Sequence, residues 1–389
     1  MFLFLLAMVM AAMGCLPGCT SEYGDQQDNE STGGGTPGET QISEQREHYF
    51  STEQFTNEDL QKIAELIRSA QEVPAEYIGQ TDAAIRGTVE TVTYNTRAYA
   101  YEEYFADELN GRELPVEKTM YVYLPYGYSE ENRYPVLYLL HGGHEIAEYW
   151  FSMETEKDDD GPVGGGVVVR MLDHMIAQGV IDPLIVVTPA IYVETNGYHA
   201  YPEGGLDQRH LTDRIENDPA KVCSNKSTVW TDNFAKELRN DIIPLIDEKY
   251  ATYADRAYRG IAGTSMGGMT TIRAGLMQCN DLFAWYAPMS SGVTAEKDET
   301  VIREQTDALW TALSPDGKDP EISMILNFNG SKDMSRQSHL ANMCYLLEKS
   351  GGTLVDGENY AFFIVDPLQH NFDAWRYTLY LTLQVFFKS

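Results

Sequence analysis

Basic residues and cysteines are scarce in this chain, and long apolar runs free of charge are confined to its first residues. Lys and Arg number 28 against 59 Asp and Glu, for a formal net charge of −31. No basic cluster interrupts that acidity. Phosphate backbones are held by concentrated Lys and Arg, so nucleic acid is excluded as a partner and an uncharged substrate fits better. The surplus of charge favours solubility and says nothing about fold. Only five cysteines occur in 389 residues. Cys15 and Cys19 lie in the apolar leader, which leaves Cys223, Cys279 and Cys344 and at most one internal disulfide. Cys279 and Cys344 fall in apolar helical patterns and read as core residues. Nothing has metal-finger spacing. The acidic stretch 156–166, EKDDDGPVGGG, lacks the full spacing of a calcium loop and reads as a solvated loop. No internal repeat is visible.

The leader, MFLFLLAMVMAAMGCLPGC (1–19), is uncharged and mostly apolar, yet short for a spanning helix. It reads as a secretory signal. Its end, Leu16-Pro17-Gly18-Cys19, resembles a bacterial lipobox, which makes Cys19 the expected lipidation site. The expected location is therefore the cell surface, through a lipid anchor, or otherwise the secreted fraction. Residues 20–45 are polar and Gly-rich, cannot bury enough surface to fold, and read as a flexible linker. Residues 46–83 read as a helical extension. Within it, 57–72 is amphipathic, with Leu60, Ile63, Ala64 and Ile67 on one face, and packs on the main domain or closes the stalk.

The main domain is expected over 84–389. GTVETVTYNT and TMYVYLP read as an antiparallel entry. After them, nearly continuous apolar runs at 134–140, 183–189 and 321–328 suit strands buried on both faces of a mostly parallel sheet. Helical segments alternate with them. Phe234, Leu238, Ile242 and Ile246 share a face in a helix that Pro244 is expected to kink. The segments 338–351 and 371–387 are also helical, the latter with Phe372, Trp375, Leu379, Leu383 and Phe386 on one face. This alternation predicts an α/β fold with helices covering both sides of a central sheet.

RGIAGTSMGGMTT (259–271) places Ser265 among four glycines, between a short strand and a helix. In a strand–turn–helix elbow the turn is so tight that side chains two before and two after the serine would collide, so both sites want glycine. The serine hydroxyl is then held at the tip as a nucleophile. A serine needs a base, and the base needs a group to hold its tautomer. In the α/β-hydrolase order of serine, acid, histidine, two histidines follow Ser265. His339 lies in a helical pattern and reads as a surface or partly buried helix residue. His370 lies in a loop between a strand and the last helix, and is the expected base. For the acid, Asp333 follows the strand 321–328 and is placed first, with Asp366 second. Asp316 and Asp319 precede their strand, at the wrong edge of the sheet. The oxyanion donors are expected from the N–H of Met266 and from the Gly142–Gly143 turn after the strand 134–140, Gly143 favoured. His141 and His144 read as shaping that loop rather than binding metal. Tyr149, Trp150, Tyr192, Trp230 and Trp375 are candidates for lining a substrate site, against core packing as the plainer alternative.

The set YPVLYLLHGG, LIVVTPAIY, IIPLIDEKY, RGIAGTSMGG and FNGSKD resembles the esterase D and feruloyl esterase group of α/β-hydrolases, carbohydrate esterase family one, from about residue 84 to the C-terminus. The resemblance implies a serine carboxylesterase acting on ester-decorated plant xylan, with Ser265, Asp333 and His370 as a triad and no cofactor. It departs from many members around the histidine, where Gln369-His370-Asn371-Phe372 stands, although Trp375 is kept. Readings that stay open are an acetyl xylan esterase, another carboxylesterase or acyltransferase of the same fold, and a non-catalytic glycan-binding surface lipoprotein.

Overall fold

Apolar runs buried on both faces build the centre of the molecule. The computed structural model describes residues 55–70, 72–143, 145–153, 156–158, 161–163, 165–192, 194–195, 198–199 and 229–388. Cys19, Cys223, His144, the leader and the linker lie outside the described residues. Eight strands form one sheet: β1 (Thr88–Arg97), β2 (Pro115–Leu124), β3 (Val136–Leu140), β4 (Ile185–Pro189), β5 (Arg259–Thr264), β6 (Trp285–Met289), β7 (Met324–Gly330) and β8 (Tyr360–Val365). Their spatial order is β1-β2-β4-β3-β5-β6-β7-β8. β2 is antiparallel to β1 and β4, and every other neighbouring pair is parallel. Within the stretch expected to be an acidic loop, 156–158 pairs with 161–163 as a small hairpin.

Alternation along the strands splits the core in two. Tyr138, Ile185, Ile261, Tyr286 and Ile325 face one side, where they meet α3 (229–249), α4 (266–276), α5 (Glu299–Leu313) and α6 (Arg336–Lys349). Leu137, Leu139, Val186, Ala262 and Leu326 face the other, against α1 (Glu58–Ser69), α2 (Val167–Ala177) and α7 (Phe372–Leu383). Both faces of the parallel strands are thereby covered, which is why their sequences read as apolar runs.

α3 runs through Val229–Glu237, Leu238–Ile242 and Ile243–Lys249, and its middle stretch is π-helical. Pro244 therefore does not break the helix. It falls in the first turn of the last stretch, where a missing N–H is tolerated, and backbone angles stay helical across the junction. The π turn also explains the strict four-residue spacing of Phe234, Leu238, Ile242 and Ile246, all buried. Four-residue steps drift by about 40° each on a 3.6-residue helix, and a wider turn takes up that drift.

α1 is capped by the Asn57 side chain, which accepts from the N–H groups of Asp59 and Leu60. It packs directly into the second core cluster through Leu60, Ile63 and Ala64. Helix and main domain share one core. The β6 strand has Pro288 inside it, between β5 and β7. Its register with β7 passes over Ala287 and Pro288, consistent with the missing proline donor.

Candidate active site

Ser265 follows β5, Asp333 follows β7, and His370 lies between β8 and α7. These strands are parallel, so the three residues gather at one edge of the sheet, beyond the carboxyl ends of its strands.

The elbow at Ser265 is tight. Its backbone has φ 53° and ψ −116°, a conformation costing about 1–3 kcal/mol for a residue with a side chain. Its N–H donates to Met289 O at 3.0 Å, tying the turn to β6. A Cβ at Gly263 would lie 2.5 Å from the Gly267 carbonyl and 2.8 Å from Leu140 Cβ. At Gly267 it would collide with the His141 and Leu140 carbonyl oxygens. The glycines are thus demanded by neighbouring backbone, and the helix α4 (Met266–Thr270 continuing through Thr271–Leu276) starts at the serine.

His370 Nε2 is 3.0 Å from Ser265 Oγ. Its Nδ1 is 3.0 and 3.1 Å from the two oxygens of Asp333. An ionised carboxylate only accepts, so Nδ1 carries the proton and Nε2 accepts from the serine hydroxyl. The Asp333 side chain is 0% exposed and that of His370 19%. Burial alone would raise the Asp333 pKa. The hydrogen bond and charge of His370, with the N–H and hydroxyl of Ser335, outweigh it and hold the carboxyl below its usual range. Ser335 gives both bonds to Oδ1, at 2.8 and 2.7 Å, and its hydroxyl accepts from Asn329 Nδ2 at 3.0 Å. The two loops meet through backbone bonds from Ser331 N to Val365 O and from Lys332 N to Leu368 O, each 3.0 Å. Asp366, the second candidate acid, instead takes the Ser331 hydroxyl.

His339 is not the surface or partly buried residue that its place in a helical pattern suggests. It is fully buried against Phe362, with Nδ1 3.1 Å from Asn329 Nδ2. Burial pushes its pKa down to about 3, so it stays neutral.

The loop after β3 is gripped from several sides. His141 is buried, and its Nε2 accepts from the Ile191 N–H at 3.1 Å. Its Nδ1–H therefore donates to Gly142 O at 2.8 Å. Burial lowers its pKa to about 4, which keeps this neutral tautomer. The Gly142 N–H donates to Glu145 Oε2 at 2.5 Å. Of the two candidate donors, Gly142 is thus committed to Glu145. Gly143 lies beside the elbow, where an added Cβ would be 3.9 Å from Met266 Cβ. No sequence motif marks Glu145. Burial raises its pKa to about 7, against the opposing effects of the Gly142 N–H, the Tyr149 hydroxyl and the His370 charge.

The aromatic candidates divide. Trp375 stands edge-on to His370 at 5.2 Å between ring centroids, its indole N–H on Ser290 Oγ at 3.1 Å. Tyr149 packs on Phe372 and Trp375. Trp150 is fully buried, with its N–H on Leu140 O, so it is a core residue rather than a substrate contact. Tyr192 and Trp230 also belong to the core, packed edge to face at 5.7 Å.

The Esterase family model matches residues 111–322, more than half of the chain. The chain is 29% identical over 276 residues to an endo-1,4-beta-xylanase/feruloyl esterase of Xylanibacter ruminicola, covering 70% of this chain and 29% of that protein. It is 28% identical over 223 residues to endo-1,4-beta-xylanase Y of Acetivibrio thermocellus, covering 55% of this chain and 15% of that protein. The chain thus spans less than a third of the length of these curated relatives. Among solved structures, a variant of the feruloyl esterase module from Clostridium thermocellum complexed with sinapinate is similar in fold. It has a TM-score of 0.56 and 24% identity, over 81% of this chain and 93% of that one.

Proposed function

The chain belongs to the esterase family, and from that premise we propose that it is a carboxylic ester hydrolase of α/β-hydrolase fold, a serine feruloyl esterase acting on plant cell-wall xylan. The observation that carries the proposal is the Nε2 of His370 at 3.0 Å from Ser265 Oγ, with Nδ1 on Asp333. His370 takes the hydroxyl proton as Ser265 Oγ attacks the ester carbonyl. Asp333 orients the ring and stabilises its cation. The N–H groups of Met266 and Gly143 receive the negative oxygen, an arrangement in which one donor is typically worth about 10²–10³ in rate. The sugar hydroxyl leaves with the proton from His370. Water, deprotonated by the same imidazole, then releases the acid from Ser265.

The hydroxycinnamoyl preference draws support from the names of the relatives and from the half-buried Tyr149 ring, backed by the buried Phe372 and Trp375 beside His370. Such a ring suits a flat aromatic acyl group. Export and attachment through Cys19 complete the proposal and suit a polymer substrate that cannot enter a cell. No described helix is long and apolar enough to cross a membrane.

The test uses the soluble chain lacking residues 1–41. It is expected to hydrolyse methyl ferulate, and Ser265→Ala to abolish that activity. Ferulate release that persists in Ser265→Ala overturns the nucleophile. Release of acetate but not ferulate from xylan moves the substrate to acetyl esters. Xylan binding without release of either acid fits a glycan-binding protein.

A further inference from the structure

The turn at His141–Gly143 contains two successive peptide units whose directions are fixed by different side chains. In a trans peptide the carbonyl and the N–H point opposite ways. His141 Nδ1–H holds Gly142 O, which turns the N–H of Gly143 the other way. The preceding unit is held by its N–H, which the Glu145 carboxylate accepts at 2.5 Å. Glu145 folds back so closely that a Cβ on Gly142 would lie 2.9 Å from its Oε2. The glycine at 142 therefore makes room for a carboxylate of the protein itself. Behind Glu145, the Tyr149 hydroxyl lies near enough to the same carboxylate to favour its anion. The Tyr149 ring stands edge-on to Phe372 at 5.6 Å and to Trp375 at 6.4 Å. Trp375 in turn meets the His370 imidazole. A continuous path of contacts thus joins the oxyanion loop to the segment that carries His370.

We propose that Glu145, with Tyr149 behind it, is a positioning residue that fixes the Gly142–Gly143 turn and ties it to the His370 segment. The proposal rests on the assignment of Ser265 as nucleophile and Gly143 as a donor to the oxyanion. Glu145 acts through the backbone. A free Gly142 N–H would let both peptide units rotate, and the Gly143 N–H would leave the line on which charge develops. Such a loss falls on the transition state and leaves ground-state binding unchanged, so it lowers kcat and spares KM.

The experiment compares the soluble chain lacking residues 1–41 with Glu145→Ala, Glu145→Gln, Tyr149→Phe and Ser265→Ala on 4-nitrophenyl acetate and methyl ferulate. Glu145→Ala is expected to lose about 10- to 100-fold in kcat with KM within about twofold. Glu145→Gln keeps an oxygen that accepts the Gly142 N–H, and is expected to return to within about threefold of the parent. Tyr149→Phe keeps the ring and loses the hydroxyl, for a loss of about three- to tenfold in kcat. A kcat for Glu145→Ala within twofold of the parent, a loss confined to KM, or a Glu145→Gln no better than Glu145→Ala overturns the proposal. Should Glu145→Ala not fold, Tyr149→Phe at an unchanged melting temperature decides: a lowered kcat supports the brace and an unchanged one sinks it. Ser265→Ala separates the two levels. Activity surviving in it removes the premise, whereas an inactive Ser265→Ala beside a fully active Glu145→Ala removes the brace alone.

Discussion

Glu145 carries opposing demands that make it pH-sensitive. Partial burial penalises its charge and raises its pKa from 4.5 to about 7, even though the Gly142 N–H, the Tyr149 hydroxyl and His370 favour the anion. The folded state therefore binds this proton more tightly than the unfolded chain. By linkage, the contribution of this group to stability is fully present below about pH 4.5 and is lost as pH rises through 7. The loss is at most about 3 kcal/mol, at 1.36 kcal/mol for each pKa unit. Glu145→Gln is neutral at every pH and mimics the protonated form. Its melting temperature is expected to match the parent's near pH 5 and to exceed it by a few degrees at pH 8. Melting curves at the two pH values check this, and a gap of the same size at both refutes it. Nothing local marks this residue in the sequence, because one carboxylate among 59 acquires its role only when a turn folds it onto Gly142. Ser265 is different: its glycines announce the backbone it needs. His339 misled for the opposite reason. Its neighbours Arg336 and Gln337 are polar, and its burial comes with Phe362 and Asn329 on other elements.

Elements announced by apolar runs were legible, and those shaped by backbone detail were not. β3 and β4 lie within apolar runs that read as strands and β7 starts within one and runs two residues past it, since a strand covered on both faces has no polar side to show. β6 is hard to read in the sequence, since Pro288 argues against a central strand. The fold accepts the proline by leaving two residues out of the pairing with β7. The π-helical stretches in α3 and α4 leave no residue-type signature, and the first shows itself only as a four-residue spacing. At the elbow, by contrast, sequence and element agree closely enough to test. Gly267→Ala would drive a Cβ against the Leu140 and His141 carbonyl oxygens, which are backbone atoms that cannot rotate aside. The expected cost is about 1–3 kcal/mol, seen as a melting temperature lower by several degrees. His141 immediately precedes the Gly142–Gly143 turn, so kcat is expected to fall as well. A variant melting within 1 °C of the parent, with kcat within about twofold, would show that the elbow has slack the structure does not display.

The molecule as a whole is sealed at one face by a helix that the sequence left between two roles, packing on the domain or closing a stalk. α1 has the first. Phe55 meets Phe363 edge to face at 5.7 Å, and the N–H groups of Thr56 and Asn57 both donate to Gly357 O, at 3.1 and 2.9 Å. At the far end of the helix, the Tyr377 hydroxyl holds Ala70 O. These partners lie some 300 positions away in the chain, so no local pattern in 57–72 could name them, although its apolar face was readable. Leu60 and Ile63 are fully buried and Phe55 is 6% exposed. Each such side chain contributes about 1.5–3 kcal/mol when withdrawn from water, an upper estimate because the unfolded chain is itself partly compact. Losing three of them comes to roughly 5 kcal/mol or more. At about 2–4 °C for each kcal/mol in a large domain, a chain starting at residue 71 is expected to melt at least about 10 °C below one starting at residue 42. The second of these keeps α1 and loses only the leader and most of the linker. Melting temperatures within 3 °C of each other would mean that the sheet face closes without α1, and that the helix belongs with the linker after all.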